Sequence, residues 1–128
     1  MEHSILTSEI ESLLERFNLP VSDLAKNEHV TLFEALENSL LIGVIGIEVY
    51  EDTGLLRSLA VAEEQRDHGL GRRLIEHAEV WAARAGIQSL WLLTETAAGY
   101  FEKLGYESVP RSAAPKSFQL GFTYTHEV

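Results

Sequence analysis

Nine consecutive residues, Gln65-Arg66-Asp67-His68-Gly69-Leu70-Gly71-Arg72-Arg73, combine two glycines with three arginines. Glycine lets a ligand approach the main chain, and amides that converge on a helix start beside basic side chains make a site for an anion. No proline lies between Pro20 and Pro110, so every amide from Gln65 to Arg72 is a donor. Neither common nucleotide signature fits, since the segment contains no GxxxxGK[ST] and no GxGxxG. A diphosphate held without a P-loop lysine is the functional reading that remains. Glycines that serve only the turn between a strand and a helix are the alternative.

The rest of the chain makes this basic cluster stand out. The protein has 128 residues and a formal net charge of −10. Its length suits one domain with a substantial core, and residues 1–128 are expected to form it. The acidic balance argues against nucleic-acid and anionic-membrane partners, which need a positive footprint. There is no cysteine, which excludes disulfides, thiolate metal sites and cysteine nucleophiles. The histidines (His3, His29, His68, His77, His126) are scattered without ligand spacing, so no metal is expected. The start, Met1-Glu2-His3-Ser4, has no basic region or apolar signal core. The longest apolar run, Leu40 to Ile47, is too short to span a bilayer. A cytoplasmic protein is expected.

The elements that position the loop follow from periodicity. Ser8-Glu9-Ile10-Glu11 has the spacing of a capping box, and Ile10, Leu13, Leu14 and Phe17 form one helical face that ends at Leu19-Pro20. Val30–Leu36 and Leu40–Tyr50 read as a hairpin of strands, the second weakened by Gly43 and Gly46. Leu55–Val61 reads as a third strand, with Leu55, Arg57, Leu59 and Val61 on one face and Leu56, Ser58 and Ala60 on the other. A long helix starts at the second glycine of the loop, Gly71, and Gly86 stops it. Ser89–Leu93 is a strand buried on both faces. A short helix follows around Ala97, Phe101 and Leu104, closed by Gly105, and then a strand from Tyr106 to Val109. Phe118–Val128 has a poor strand pattern. If that last strand is missing, an exposed sheet edge results, which a homodimer would cover. The class is a mixed α/β domain, with the strands flanking the long helix parallel through a right-handed crossover.

Arg66-x-x-Gly69-x-Gly71 after Leu59-Ala60-Val61 resembles motif A of the GCN5-related N-acetyltransferases, the GNAT superfamily. Phe101-Glu102-Lys103-Leu104-Gly105-Tyr106 resembles the second signature of that superfamily, usually Tyr-Glu-Lys-Leu-Gly-Phe. The likeness covers roughly Leu40 to Val109. A narrower likeness, to small arsenic-resistance-type acetyltransferases, is carried by Leu55–Val61, Trp91–Phe101 and Arg111-x-x-Ala114-Pro115. That subgroup usually ends in a cysteine-containing segment, which this chain lacks.

The resemblance implies a GNAT-like fold with a mixed central sheet, splayed strands and flanking helices. It implies acetyl-CoA in the gap between the strands at Leu55–Val61 and Leu90–Leu93. The pantetheine arm would lie along the main chain of Leu59, Ala60 and Val61, and the pyrophosphate on amides of Arg66, Asp67, His68, Gly69, Leu70, Gly71 and Arg72. Thr94 and Phe101 fall at further cofactor positions. Transfer would proceed by direct attack of a small-molecule amine in a ternary complex, with positioning supplying much of the acceleration. The usual acid, a tyrosine, is replaced by Phe101, which leaves neighbouring Tyr100 as the candidate, about 100° round the helix. The usual carboxylate base is missing because Leu55 stands at its position, and Glu48 is the replacement candidate, with a solvated strand residue as the alternative. Arg57 is either a satisfied ion-pair partner or, if it points into the acceptor pocket, a contact favouring an acidic acceptor. Two functions stay open: an N-acetyltransferase, and a non-catalytic acyl-CoA-binding or sensing module.

Overall fold

A computed structural model describes residues 1–93, 97–109 and 123–127. Its strands are β1 (Glu2–Ser4), β2 (Val30–Glu37), β3 (Leu40–Tyr50), β4 (Thr53–Val61), β5 (Ser89–Leu93), β6 (Glu107–Val109) and β7 (Thr123–Glu127). Its α-helices are α1 (Ser8–Arg16), α2 (Leu70–Arg84) and α3 (Ala98–Lys103). The strands form one sheet in the order β1-β2-β3-β4-β5-β7-β6. Only β4 and β5 are parallel, and α2 makes the crossover between them. The mixed α/β class is the one expected.

The helix ends are set by local chemistry. The side chain of Thr7, not Ser8, caps α1, accepting from the Ile10 amide at 3.2 Å. The helix stops at Arg16, before the expected Leu19, because Asn18 takes a left-handed φ of 57°. Asn is one of the few residues that tolerates this conformation at a C-terminus. The Leu19 amide then donates to the Leu14 carbonyl at 3.0 Å and the Asn18 amide to Glu15 at 3.1 Å. This Schellman arrangement turns Leu19 back towards the sheet. Gly86 and Gly105, also left-handed, end α2 and α3 with the same pair of bonds.

In the β2–β3 hairpin, Asn38 and Ser39 both have positive φ, which suits the right-handed twist of the strands. Gly43 does not break β3. A Cβ there would stand 2.9 Å from Leu74 Cδ1, so the missing side chain lets α2 pack close to the strand.

The core lies on both faces of the sheet. Against Leu74 and Ile75 of α2 pack Phe33, Ile45, Ile47, Leu56, Leu90 and Leu92, joined by Phe101 of α3. Against α1 pack Leu32, Val44 and Ala60. The strict alternation expected along β4 fails. Val44 pairs with Ala60 and Gly46 with Arg57, so β4 has one residue too many between Arg57 and Ala60. That bulge carries Ser58 at φ 57°. Leu56, Leu59 and Val61 therefore share the α2 face, whereas Ala60 faces α1.

β7 pairs antiparallel with β5 from Ser89↔Glu127 to Leu93↔Thr123. The last strand is thus present, and the β5 edge that its absence would have exposed is filled by the chain's own β7. Among the described residues no helix is long and apolar enough to cross a membrane.

Candidate active site

The bulge changes how β4 meets its neighbours. β5 pairs with β4 only from Thr53↔Ser89 to Leu56↔Leu92. From Arg57 to Val61 the β5-facing edge of β4 carries no strand, and the two strands part. Between them opens a cavity of about 270 Å³ whose walls include Leu19, Arg57, Ser58, Leu59, Leu92 and Phe101. Leu59 lines it, and the expected main-chain run Leu59-Ala60-Val61 is part of the bare edge.

The loop that follows β4 is an amide cluster, though smaller than expected. A 3-10 turn at Glu63–Gln65 consumes two donors: the Gln65 amide bonds Ala62 at 2.9 Å and the Arg66 amide bonds Glu63 at 3.3 Å. The Arg66 amide is therefore not available to a ligand in this conformation. The amides of Asp67, His68, Gly69, Leu70, Gly71 and Arg72 have no hydrogen-bond partner among the described residues. The helix begins at Leu70, one residue earlier than expected, with Gly69 as its N-cap at φ 77°. Its first bond runs from the Arg73 amide to the Gly69 carbonyl at 3.1 Å, so the first-turn donors face outward. Asp67 is also left-handed, at φ 66°, and such backbone curls make anion nests.

Two of the three arginines are engaged by the protein's own side chains. The Arg66 guanidinium lies over the Phe17 ring, 4.6 Å from its centroid. Arg72 Nε donates to Glu76 one turn on, at 3.0 Å. His68 and Asp67 are exposed. Charge at the loop comes chiefly from the helix dipole and Arg72.

On the α1 face stands a polar network that sequence reasoning found only in part. Arg57 uses four of its five N–H groups: Nη1 donates to Asp23 Oδ2 at 2.6 Å and to Glu48 Oε1, Nη2 to Asp23 Oδ1 at 2.9 Å, and Nε to Ser58 Oγ at 3.2 Å. The Tyr50 hydroxyl donates to Glu48 Oε2 at 2.9 Å. Burial works against the Arg57 charge, but the bonds to Asp23 and Glu48 outweigh it and raise its pKa. The Arg57 hydrogen bond holds Asp23 below the usual carboxylate value. Burial, then Glu48, raises Tyr50.

Arg57 is the satisfied ion-pair partner of the first alternative, and it also lines the cavity. Glu48 is neither a solvated strand residue nor a cavity wall. It is 8% exposed, both oxygens are engaged, and it stands behind Arg57. Asp23, Tyr50 and Ser58 were missed. Nothing in the sequence around Asp23 marks a partner 34 residues away.

The two aromatic candidates diverge. Phe101 lines the cavity and packs edge-on against Tyr100 and Tyr106. Tyr100 is 43% exposed, and its hydroxyl lies beside Gly71 at the start of α2. Desolvation raises its pKa, so the phenol keeps its proton. Thr94 lies outside the described residues.

A bulged strand parts from its parallel neighbour next to a helix start with unpaired amides, which is the layout that the resemblance implied. Residues 28–108 match the acetyltransferase (GNAT) domain family. The chain belongs to the GNAT family. It is 34% identical over 91 residues to an uncharacterised N-acetyltransferase of Chlorobaculum tepidum, covering 70% of this chain and 58% of that protein. It is also 38% identical over 55 residues to the uncharacterised N-acetyltransferase YitI of Bacillus subtilis, covering 42% of this chain and 37% of that one. The matched region thus spans less than two thirds of each of these relatives. Among solved structures, a GNAT-family acetyltransferase of Staphylococcus aureus superposes with a TM-score of 0.82 at 18% identity, covering 98% of each chain. N-acetylglutamate synthase of Neisseria gonorrhoeae, in complex with coenzyme A and N-acetyl-glutamate, superposes at 0.81 and 18% identity, covering 98% of this chain and 34% of that one. At these identities the likeness is one of fold.

Proposed function

We propose that this protein transfers an acetyl group from acetyl-CoA to the amine of a small molecule. The observation that carries the reading is that β4, whose edge beyond Leu56 lies bare beside the cavity, leads directly into the loop with six amides, Asp67 to Arg72, unpartnered among the described residues. A diphosphate at those amides and a pantetheine arm along Leu59–Val61 would bring a thioester to the cavity at the bulge. The structural neighbour crystallised with coenzyme A supports the choice of cofactor.

Direct transfer asks little of the protein beyond alignment. An amine lone pair attacks the thioester carbonyl carbon, the C–S bond breaks, and the electron pair stays on sulfur. A main-chain amide at the bulge is suited to the developing oxyanion. Glu48 is engaged by Arg57 and Tyr50, so in this reading it holds Arg57 at the acceptor wall and takes no proton from the amine directly. An amine that is neutral at working pH needs no strong base. Arg57 is already committed to two carboxylates, and the Asp23–Arg57–Glu48 group is net negative. This removes the reason to expect an acidic acceptor. We assign Tyr100 to the diphosphate end of the cofactor, where its hydroxyl stands.

A non-catalytic acyl-CoA-binding module is the second reading. It is favoured by Phe101, which brings no hydroxyl to the cavity. Thiol release from acetyl-CoA with a panel of amines, aniline and 1,4-diaminobutane among them, separates the two. Calorimetric binding of coenzyme A without amine-dependent release above hydrolysis would defeat the enzyme reading.

A further inference from the structure

Ser58 combines three properties. It is 8% exposed, it holds a left-handed φ of 57°, and its side chain lines the cavity. Strain of this kind persists where surrounding structure enforces it, often at a functional site. Only two side chains among the described cavity walls are polar, Arg57 and Ser58. Arg57 is spent on Asp23, Glu48 and Ser58. The Ser58 oxygen accepts from Arg57 Nε at 3.2 Å, and its own hydrogen has no acceptor among the described residues. A buried hydroxyl with an unused hydrogen is costly unless something arrives to receive it.

We propose that the Ser58 hydroxyl donates a hydrogen bond to the sulfur of coenzyme A and stabilises the thiolate as the acetyl group leaves. This rests on the acetyl-CoA reading above. The guanidinium on its oxygen polarises the hydroxyl, whose hydrogen is left free for a group in the cavity that Ser58 lines. A serine hydroxyl is far less acidic than a thiol, so Ser58 keeps its proton. The new C–N bond forms as the C–S bond breaks, the amine releases its proton to solvent, and the thiolate later takes one from solvent. Ser58 thereby does part of the work for which Phe101 has no group.

The test titrates the thiol of bound coenzyme A, followed by the ultraviolet absorbance of its thiolate, in the wild type, Ser58→Gly and Ser58→Ala. Glycine keeps the left-handed backbone and alanine keeps the Cβ, so the two variants fail differently if the fold is at stake. The bound thiol should titrate about one pH unit lower in the wild type than in either variant, a tenfold difference in acidity. Calorimetric affinity at a pH where the thiol is protonated should stay within about threefold. Equal titration in all three proteins overturns the proposal and leaves the cofactor site standing. Loss of coenzyme A binding in both variants also overturns it, because Ser58 would then be a backbone strut. No heat on titrating coenzyme A into the wild type removes this proposal together with the acetyltransferase reading.

Discussion

The phenolic oxygen of Tyr100 lies 3.6 Å from the point where a Cβ on Gly71 would stand. The short helix α3 thus reaches across to the first turn of α2, over the mouth of the amide cluster.

Substituting Gly71 tests that cluster. The nearest atoms to an added Cβ are Tyr100 Oη and Val61 Cγ2 at 3.8 Å, ordinary contacts, so Gly71→Val should fold with a melting temperature within about 3 °C of wild type. Its branched side chain would occupy the approach to the first-turn amides. Coenzyme A affinity should fall about tenfold or more, some 1.4 kcal/mol. Unchanged affinity in calorimetry would remove the diphosphate from this loop.

Tyr100→Phe separates cofactor binding from proton transfer. The hydroxyl sits outside the cavity, so its loss should raise the acetyl-CoA KM roughly fivefold, the worth of about 1 kcal/mol for one hydrogen bond. The turnover number and its pH profile should hold. A fall in kcat with loss of the alkaline limb would return Tyr100 to the role of acid.

Arg57 is where the acceptor wall meets stability. Arg57→Leu strands the buried Glu48 carboxylate and should cost about 3 kcal/mol or more in urea denaturation. The double variant Arg57→Leu with Glu48→Leu should be more stable than the single one, because no buried charge is left unpaired. If the single change costs no more than a surface substitution, the ion pair does not hold the wall.

Asp23 gives the network a pH signature. Its folded pKa is below the ordinary 3.8, because of the Arg57 hydrogen bond. The folded state therefore binds fewer protons than the unfolded one in the acid range. The stabilisation is complete above 3.8 and drains as the pH falls through the folded pKa. Asp23 is partly exposed, so its worth is under about 1 kcal/mol. The stability gap between wild type and Asp23→Asn should be constant from about pH 7 to pH 5 and close below about pH 4. A gap that persists in strong acid would mean that packing, not charge, sets it.

The legible parts of the fold were those encoded by local pattern. The face of α1, the hairpin, α2 and the glycine stops at Gly86 and Gly105 all follow from neighbouring residues. The alternation of β4 misled because a bulge is a backbone event, and Leu55 to Val61 carries no hydropathy mark of it. The amide tally overshot because a 3-10 turn spends the donors of Gln65 and Arg66, which counting prolines does not reveal. The Asp23–Arg57–Glu48 group joins three segments distant in sequence, and ion pairs at such range leave no spacing to read. β1 and β7 were missed or doubted because each borrows its stability from an adjacent strand rather than from its own pattern.

β7 is inserted between β5 and β6, although it follows both in the chain. β6 has no strand to pair with until residues 123–127 are in place. β5 is one jamb of the cleft, and it gains its second neighbour only then. Trimming those few residues should be felt as a loosened grip on the acyl donor, far from the cut.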